Sequence, residues 1–241
     1  MSFTHGVLLM LVGMGAGFVQ RVSGFGLGIF AMIFLPHFMP SHTAAATISS
    51  IFSCTTSSYN AIKCRKNIAY KTALPMICAS LISIPIAVHL SAVVSGNIFK
   101  LLLGGVLIVL SLYFLLFNKN LKLKPTFLNG VFAGSLGGML SGLFSTGGPP
   151  AVLYLSSATK DNQVYFATIQ FYFLFTNFYT TAVRIFNGIV TTEILNYAVV
   201  GTVGCLVGNY IGRIVFDKLD SNKLRNVIYI GMLISGIVMF F

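Results

Sequence analysis

GFVQRVSGFGLGIF, residues 17–30, sets one arginine among apolar residues and places three glycines in five positions, at 24, 26 and 28. A second stretch, GGMLSGLFSTGGPPAVLYL at 137–155, is interrupted in a similar way by STGGPP at 145–150. Both interruptions are poor helix interiors, because Gly costs about 1 kcal/mol and Pro about 3 relative to Ala. Each lies inside a long apolar segment, residues 6–36 and 126–158. At 1.5 Å per residue a continuous helix of 31 residues would be about 46 Å long, too much for one bilayer crossing, while two crossings need roughly 40 residues. How the chain passes these two breaks decides the fold.

The surroundings name the solvent. Of 241 residues, 56% are hydrophobic and only 8% charged, which is outside the range of ordinary water-soluble domains. Six more apolar runs of crossing length follow the two broken segments, at 43–62, 72–92, 98–117, 163–183, 193–213 and 222–241. The formal charge of +11 sits chiefly in short loops between apolar runs, so it reads as a topology signal and not as a nucleic-acid surface. The N-terminus MSFTHGVLLMLVGMG lacks the basic leader and cleavage site of a signal peptide. Cys54, Cys64, Cys78 and Cys205 have no metal-ligand spacing, and His5, His37, His42 and His89 form no cluster. No metal and no cofactor are expected. An intramembrane enzyme is not expected either, since no acid–base set is in view.

The chain is a duplication. A shift of 121 positions pairs residues 44–74 with 165–195 and gives eight identities, where about three are expected by chance. The same shift superposes Gly13 on Gly134, Gly17 on Gly138 and Gly26 on Gly147. Residues 1–118 form the first repeat and 119–241 the second.

Positive charge then chooses between two topologies. If each broken segment crosses once, Lys and Arg divide eight to six between the sides. If each is a hairpin that enters and leaves on one side, Lys63, Arg65, Lys66, Lys71, Lys119, Lys122, Lys124, Lys160, Arg213, Lys218, Lys223 and Arg225 share a side, opposite only Lys100 and Arg184. Twelve against two is what the positive-inside rule expects. The fold expected is an all-α polytopic membrane protein of two inverted four-element repeats, each a re-entrant Gly-rich hairpin followed by three transmembrane helices. Loops 63–71, 118–125, 156–162 and 213–225 would then be cytoplasmic. Inverted repeats with broken helices are a recurrent plan of secondary transporters.

The breaks suggest what is carried. Ser23 and Ser145 or Thr146 are placed to cap the second half-helices, and Pro149 suits a first turn. The first N–H groups of those half-helices, at Gly24, Phe25, Gly26, Gly147 and Gly148, could serve an anion. Arg21 sits two residues before the first cap, and the four acidic residues, Asp161, Glu193, Asp217 and Asp220, all lie in or beside loops. Two readings stay open: Arg21 snorkels to an interface or bonds helix-end carbonyls, or its counter-ion is the substrate. Polar residues at helical spacing follow each break, Ser49, Ser53, Thr56 and Asn60 in one repeat and Gln170, Asn177 and Thr181 in the other.

With the two motifs GFVQRVSGFGLGIFAMIFLP and GGMLSGLFSTGGPPAVLYL in view, the chain resembles the TauE/SafE family of sulfite exporter-like membrane proteins over essentially its whole length. The resemblance implies a plasma-membrane transporter, typically of bacteria, for sulfite, organosulfonates or other small organic anions. Many relatives carry Gly-Gly-Gly where this chain has STGGPP, which bears on pocket size. The resulting expectation is a small anion held between two half-helix N-termini. Arg21 would supply charge, Gln20, Ser23 and Thr146 hydrogen bonds, and Ser49, Thr56, Gln170 and Asn177 polar walls. The expected partners are the anion and membrane lipid, with no nucleic acid. A membrane-embedded binding or assembly subunit without transport of its own is the alternative.

Overall fold

The computed structural model describes residues 3–117, 124–159, 161–215 and 221–240, and every regular element among them is helical. Lys119, Lys122, Lys160, Lys218, Asp217 and Asp220 lie outside the described residues. The first broken segment is α1 (Phe3–Ser23) and α2 (Leu27–Phe34), prolonged by a 3₁₀ turn at Leu35–His37. Then come α3 (His42–Lys63), α4 (Tyr70–Val93) and α5 (Gly96–Phe117). The second broken segment is α6 (Phe127–Phe144) and α7 (Gly148–Ala158), followed by α8 (Asn162–Phe186), α9 (Thr192–Val215) and α10 (Ser221–Val238).

Local chemistry fixes several of these starts. Ser41 Oγ accepts from Ala44 N at 3.0 Å, and Thr126 Oγ1 from Asn129 N at 3.3 Å. Asp161 accepts from Gln163 N at 2.6 Å and Val164 N at 3.1 Å, which also sets a negative charge at the positive end of α8.

The chain folds back at each break. Phe30 of α2 packs on Gly15 of α1, while Gly26 lies against Val19. Tyr154 of α7 packs on Gly130 of α6, while Gly147 lies against Gly137. The arms are unequal. At 1.5 Å per residue α1 and α6 are about 32 and 27 Å long, and α2 and α7 about 12 and 16 Å. A long arm with a short return accommodates a segment that was too long for one crossing and too short for two.

Each long arm packs on a helix of the other half of the chain. α1 runs parallel to α9, with Gly13 at the Gly201 carbonyl and Gly17 at that of Cys205. α6 runs parallel to α4, with Gly134 at Met76 and Gly142 at Ile84 and Ala87. Glycines let the backbones approach closely, which matters in lipid, where packing and not apolar burial joins helices. α3 and α8 occupy the centre and pair with each other antiparallel: Ser50 meets Arg184, and Asn67, just beyond α3, meets Gln163. α5 and α10 pair antiparallel as well, through Gly104 with Gly236 and Ser111 with the Tyr229 carbonyl.

Among the described residues five helices, α1, α4, α5, α6 and α9, are apolar and long enough to cross a membrane. α3 and α8 have the length, 22 and 25 residues, but carry the polar stripes. Large apolar side chains such as Ile82, Leu116, Phe132 and Val199 cover the outside, where a water-soluble bundle would be polar. The chain is a multi-pass membrane protein.

One expectation from charge is corrected here. Arg184 is not a loop residue: α8 runs to Phe186, three residues past its expected end, and holds Arg184 fully buried.

Candidate functional site

The breaks are built differently from their expected caps. Ser23 closes α1: its hydroxyl donates to Val19 O at 2.7 Å and also contacts Phe25 O. Gly24 N donates to Gln20 O at 2.9 Å, and Phe25 N points to Ser23 Oγ at 3.4 Å. The N-cap of α2 is Gly26, in the left-handed region at φ 95° with no side-chain cap. Ser145 likewise ends α6, at φ 58°, with its N–H on Leu140 O and Ser141 O, and Gly147 caps α7. Thus Ser23, Ser145 and Thr146 are not the N-caps. Ser23 through its hydroxyl and Ser145 through its N–H bond to the arm already formed; the first turn falls to Gly24 and Gly26 at positive φ, while at the second Ser145 itself takes the left-handed conformation and Gly147 lies at φ −67°.

The available donors shift accordingly. The N–H groups of Gly24 and Phe25 are directed into α1, so the first-turn donors of α2 are those of Leu27, Gly28 and Ile29. In α7, Pro149 and Pro150 lack N–H groups, which leaves Gly147 and Gly148.

The two breaks touch. A Cβ on Gly28 would overlap the Ser145 carbonyl oxygen, and Gly148 rests on the Phe25 side chain. Between them is a cavity of about 20 Å³, above the roughly 10–15 Å³ that a water needs. Backbone from Gly26 to Ile29 and from Gly147 to Gly148 lines it. Gln20, Ser53, Ser141, Ser145, Thr146 and Asn177 supply its polar side chains. Thr146 Oγ1 is buried there with no hydrogen-bond partner.

Of the expected walls, Asn177 lines the cavity, while Thr56 and Gln170 hold its frame. Thr56 Oγ1 donates to Gln20 Oε1 at 3.0 Å, and Gln20 Nε2 donates to Gln170 Oε1 and Ser57 Oγ, both at 2.8 Å. Gln170 Nε2 donates to Gly24 O at 2.8 Å. The first break is thereby tied to both central helices. Ser49, one turn from Ser53 on α3, is fully buried with an unpartnered hydroxyl. Ser53 and Ser141 join the site; the first belongs to the polar stripe, and the second had no signal beyond its closeness to the break.

Arg21 stands outside the cavity lining. Its Nη1 donates to Asn60 Oδ1 at 3.3 Å, and its guanidinium lies 4.9 Å from the Phe166 ring centroid. Asn60 in turn exchanges hydrogen bonds of 3.4 Å with Asn209 of α9.

The sequence model of the family described as Sulfite exporter TauE/SafE matches residues 9–239. The chain belongs to the TauE/SafE family. It is a family of membrane transporters, not of enzymes. No curated protein and no solved structure matches this chain.

This TauE/SafE chain holds a second arginine that sequence reasoning assigned to a loop. Arg184 Nη1 donates to Ser50 Oγ at 2.9 Å and Nη2 to the Gly142 carbonyl at 3.0 Å, while Nε is buried without a partner. Ser50 Oγ lies 3.0 Å from Ser145 Oγ, so two hydrogen bonds link the guanidinium to the cavity wall. Neither described carboxylate neutralises it: Asp161 caps α8 at its far end, and Glu193 accepts from Tyr197 at 2.9 Å. Hydrogen bonds to a charged group contribute about 1.5–3 kcal/mol each, against several kcal/mol for desolvating the ion. Two neutral acceptors leave that balance near zero, which fits a residue kept for its charge.

The counterpart of Arg21 under the 121 shift is Gly142, whose carbonyl receives Arg184. At the first break the cation comes from the long arm and reaches the last turns of the next helix. At the second it comes from those last turns and reaches the long arm. The glycine at 142 was the signal available in the sequence: it marked a vacancy that another helix fills.

Proposed function

We propose that this TauE/SafE protein carries a small sulfur-containing anion, sulfite or an organosulfonate, across the plasma membrane by alternating access around the cavity between the two breaks. The observation that carries the reading is that cavity. Two helix N-termini meet at it, four serine and threonine side chains line it, and a buried Thr146 hydroxyl faces it without a partner. First-turn N–H groups and the positive ends of helix dipoles suit an anion.

In this reading each hairpin is re-entrant and the repeats are inverted in the membrane. The antiparallel pairing of α3 with α8 and of α5 with α10 supports it, since parallel repeats would align those helices in the same direction. So does charge: Lys63, Arg65, Lys66 and Arg213 gather at one end and Lys100 at the other, which makes the first end cytoplasmic. Arg21, near the cytoplasmic end of α1, receives the anion on the inner side of the cavity. Rocking of one repeat against the other then exposes the site alternately.

The experiment is counterflow in proteoliposomes. Vesicles loaded with unlabelled sulfite should accumulate radiolabelled sulfite above protein-free controls. Asn177→Leu, which puts apolar bulk into the cavity, should lower the initial rate at least tenfold at equal inserted protein. Wild-type vesicles that show no counterflow with sulfite or methanesulfonate would leave a binding or assembly subunit in place of a transporter.

A further inference from the structure

A second hollow lies at the end of the molecule where α3 begins. It is an open cleft of about 640 Å³, bordered by Ser41, His42, Ser91, Asn97, Phe99 and Ile189. A thin partition separates it from the central cavity. Phe99 lines the cleft and packs edge-on against Phe144, with ring centroids 4.9 Å apart, and Phe144 is the residue before the cavity-lining Ser145. The other part of the partition is Arg184. Ile189, on the cleft, donates its N–H to the Arg184 carbonyl at 3.0 Å, while the guanidinium reaches Ser145 through Ser50.

Arg184 therefore stands between the two, its backbone carbonyl bonded to Ile189 at the cleft and its guanidinium joined through Ser50 to Ser145 at the cavity. Its side chain is fully buried, neither described carboxylate pairs with it, and its Nε lacks a partner. Its two neutral acceptors, a hydroxyl and a carbonyl, are weaker partners for a guanidinium than an oxyanion, which takes two parallel N–H donors in the geometry that Arg presents.

We propose that Arg184 is a substrate-binding residue for the outer half of the path. An oxyanion of the sulfite or sulfonate class, entering from the cleft, exchanges with Ser50 and Gly142 for the guanidinium, one hydroxyl away from the cavity-lining Ser145. The assignment rests on the transporter reading above and adds a cation on the side opposite Arg21.

Calorimetric titration of the detergent-purified protein with sulfite tests it, with counterflow run in parallel. Arg184→Gln should bind sulfite at least tenfold more weakly than the wild type in protein that remains monodisperse. Arg184→Lys, which keeps the charge but loses the fork, should lie between them. Wild-type affinity and flux in both variants would overturn the assignment and leave the transporter intact. Should Arg184→Gln fail to fold, Arg184→Lys decides: a loss of threefold or more supports the contact, and unchanged affinity overturns it. Sulfite binding that depends on Arg184 in a protein without counterflow would overturn the transport reading alone, and a wild type that binds neither sulfite nor methanesulfonate would overturn both.

Discussion

Gly28 presents a hydrogen where any other residue would drive a carbon into the Ser145 carbonyl, and so it sets how closely the two breaks approach. Gly28→Val forces them apart. Overpacking of this kind costs about 1–3 kcal/mol, which for a chain of this size lowers Tm by about 2–12 °C in a detergent melt. A melting curve that superposes on the wild type would show that the breaks do not depend on this contact. Arg21 belongs to the same scale. Its guanidinium donates to Asn60 at 3.3 Å and lies against an aromatic face, and no carboxylate among the described residues is bonded to it. Arg21→Gln is expected to insert normally and to lower counterflow at least tenfold, or about 1.4 kcal/mol. Undiminished flux would reduce Arg21 to an anchor for α3 and α8.

The polar stripes make α3 and α8 an unusual pair of elements. Gln20 reaches from α1 to both, so Gln20→Leu strands Gln170 Oε1 and Ser57 Oγ together. A buried acceptor left alone costs about 1–3 kcal/mol. Gln170→Leu should cost a similar amount, and the double variant less than the sum, with a coupling of about 0.5–3 kcal/mol in denaturant unfolding. Strict additivity would mean that the glutamines act separately. These helices were legible in the sequence, because hydropathy finds the runs and spacing finds the stripe. The direction in which a serine bonds was not. Ser23 and Ser145 are competent caps for the helix ahead, yet the Ser23 hydroxyl turns back to the Val19 carbonyl and the Ser145 hydroxyl across to Ser50 of α3, and only the folded turn decides. Arg184 was hidden for a different reason: it follows the last apolar run of its span, and its burial depends on α3 and α6, which are distant in sequence.

For the whole molecule the orientation of the two halves is the quantity to measure. Cys64, in the basic loop, should react with an impermeant thiol reagent only from the cytoplasm. Single cysteines at Ser41 and Asn162, in a background lacking the native four, should label from opposite faces. Same-side labelling would end the inverted arrangement. The central pairing of α3 with α8 also has a consequence for biogenesis. The two helices are about 120 residues apart, so at a synthesis rate of about 5–20 residues per second the second follows the first by about 6–24 s. During that interval α3 must wait in the bilayer or the insertion machinery with Ser50 and Ser53 lacking their second-half neighbours. The nascent first repeat is thus a substrate for whatever shelters polar helices during insertion, until the ribosome delivers its other half.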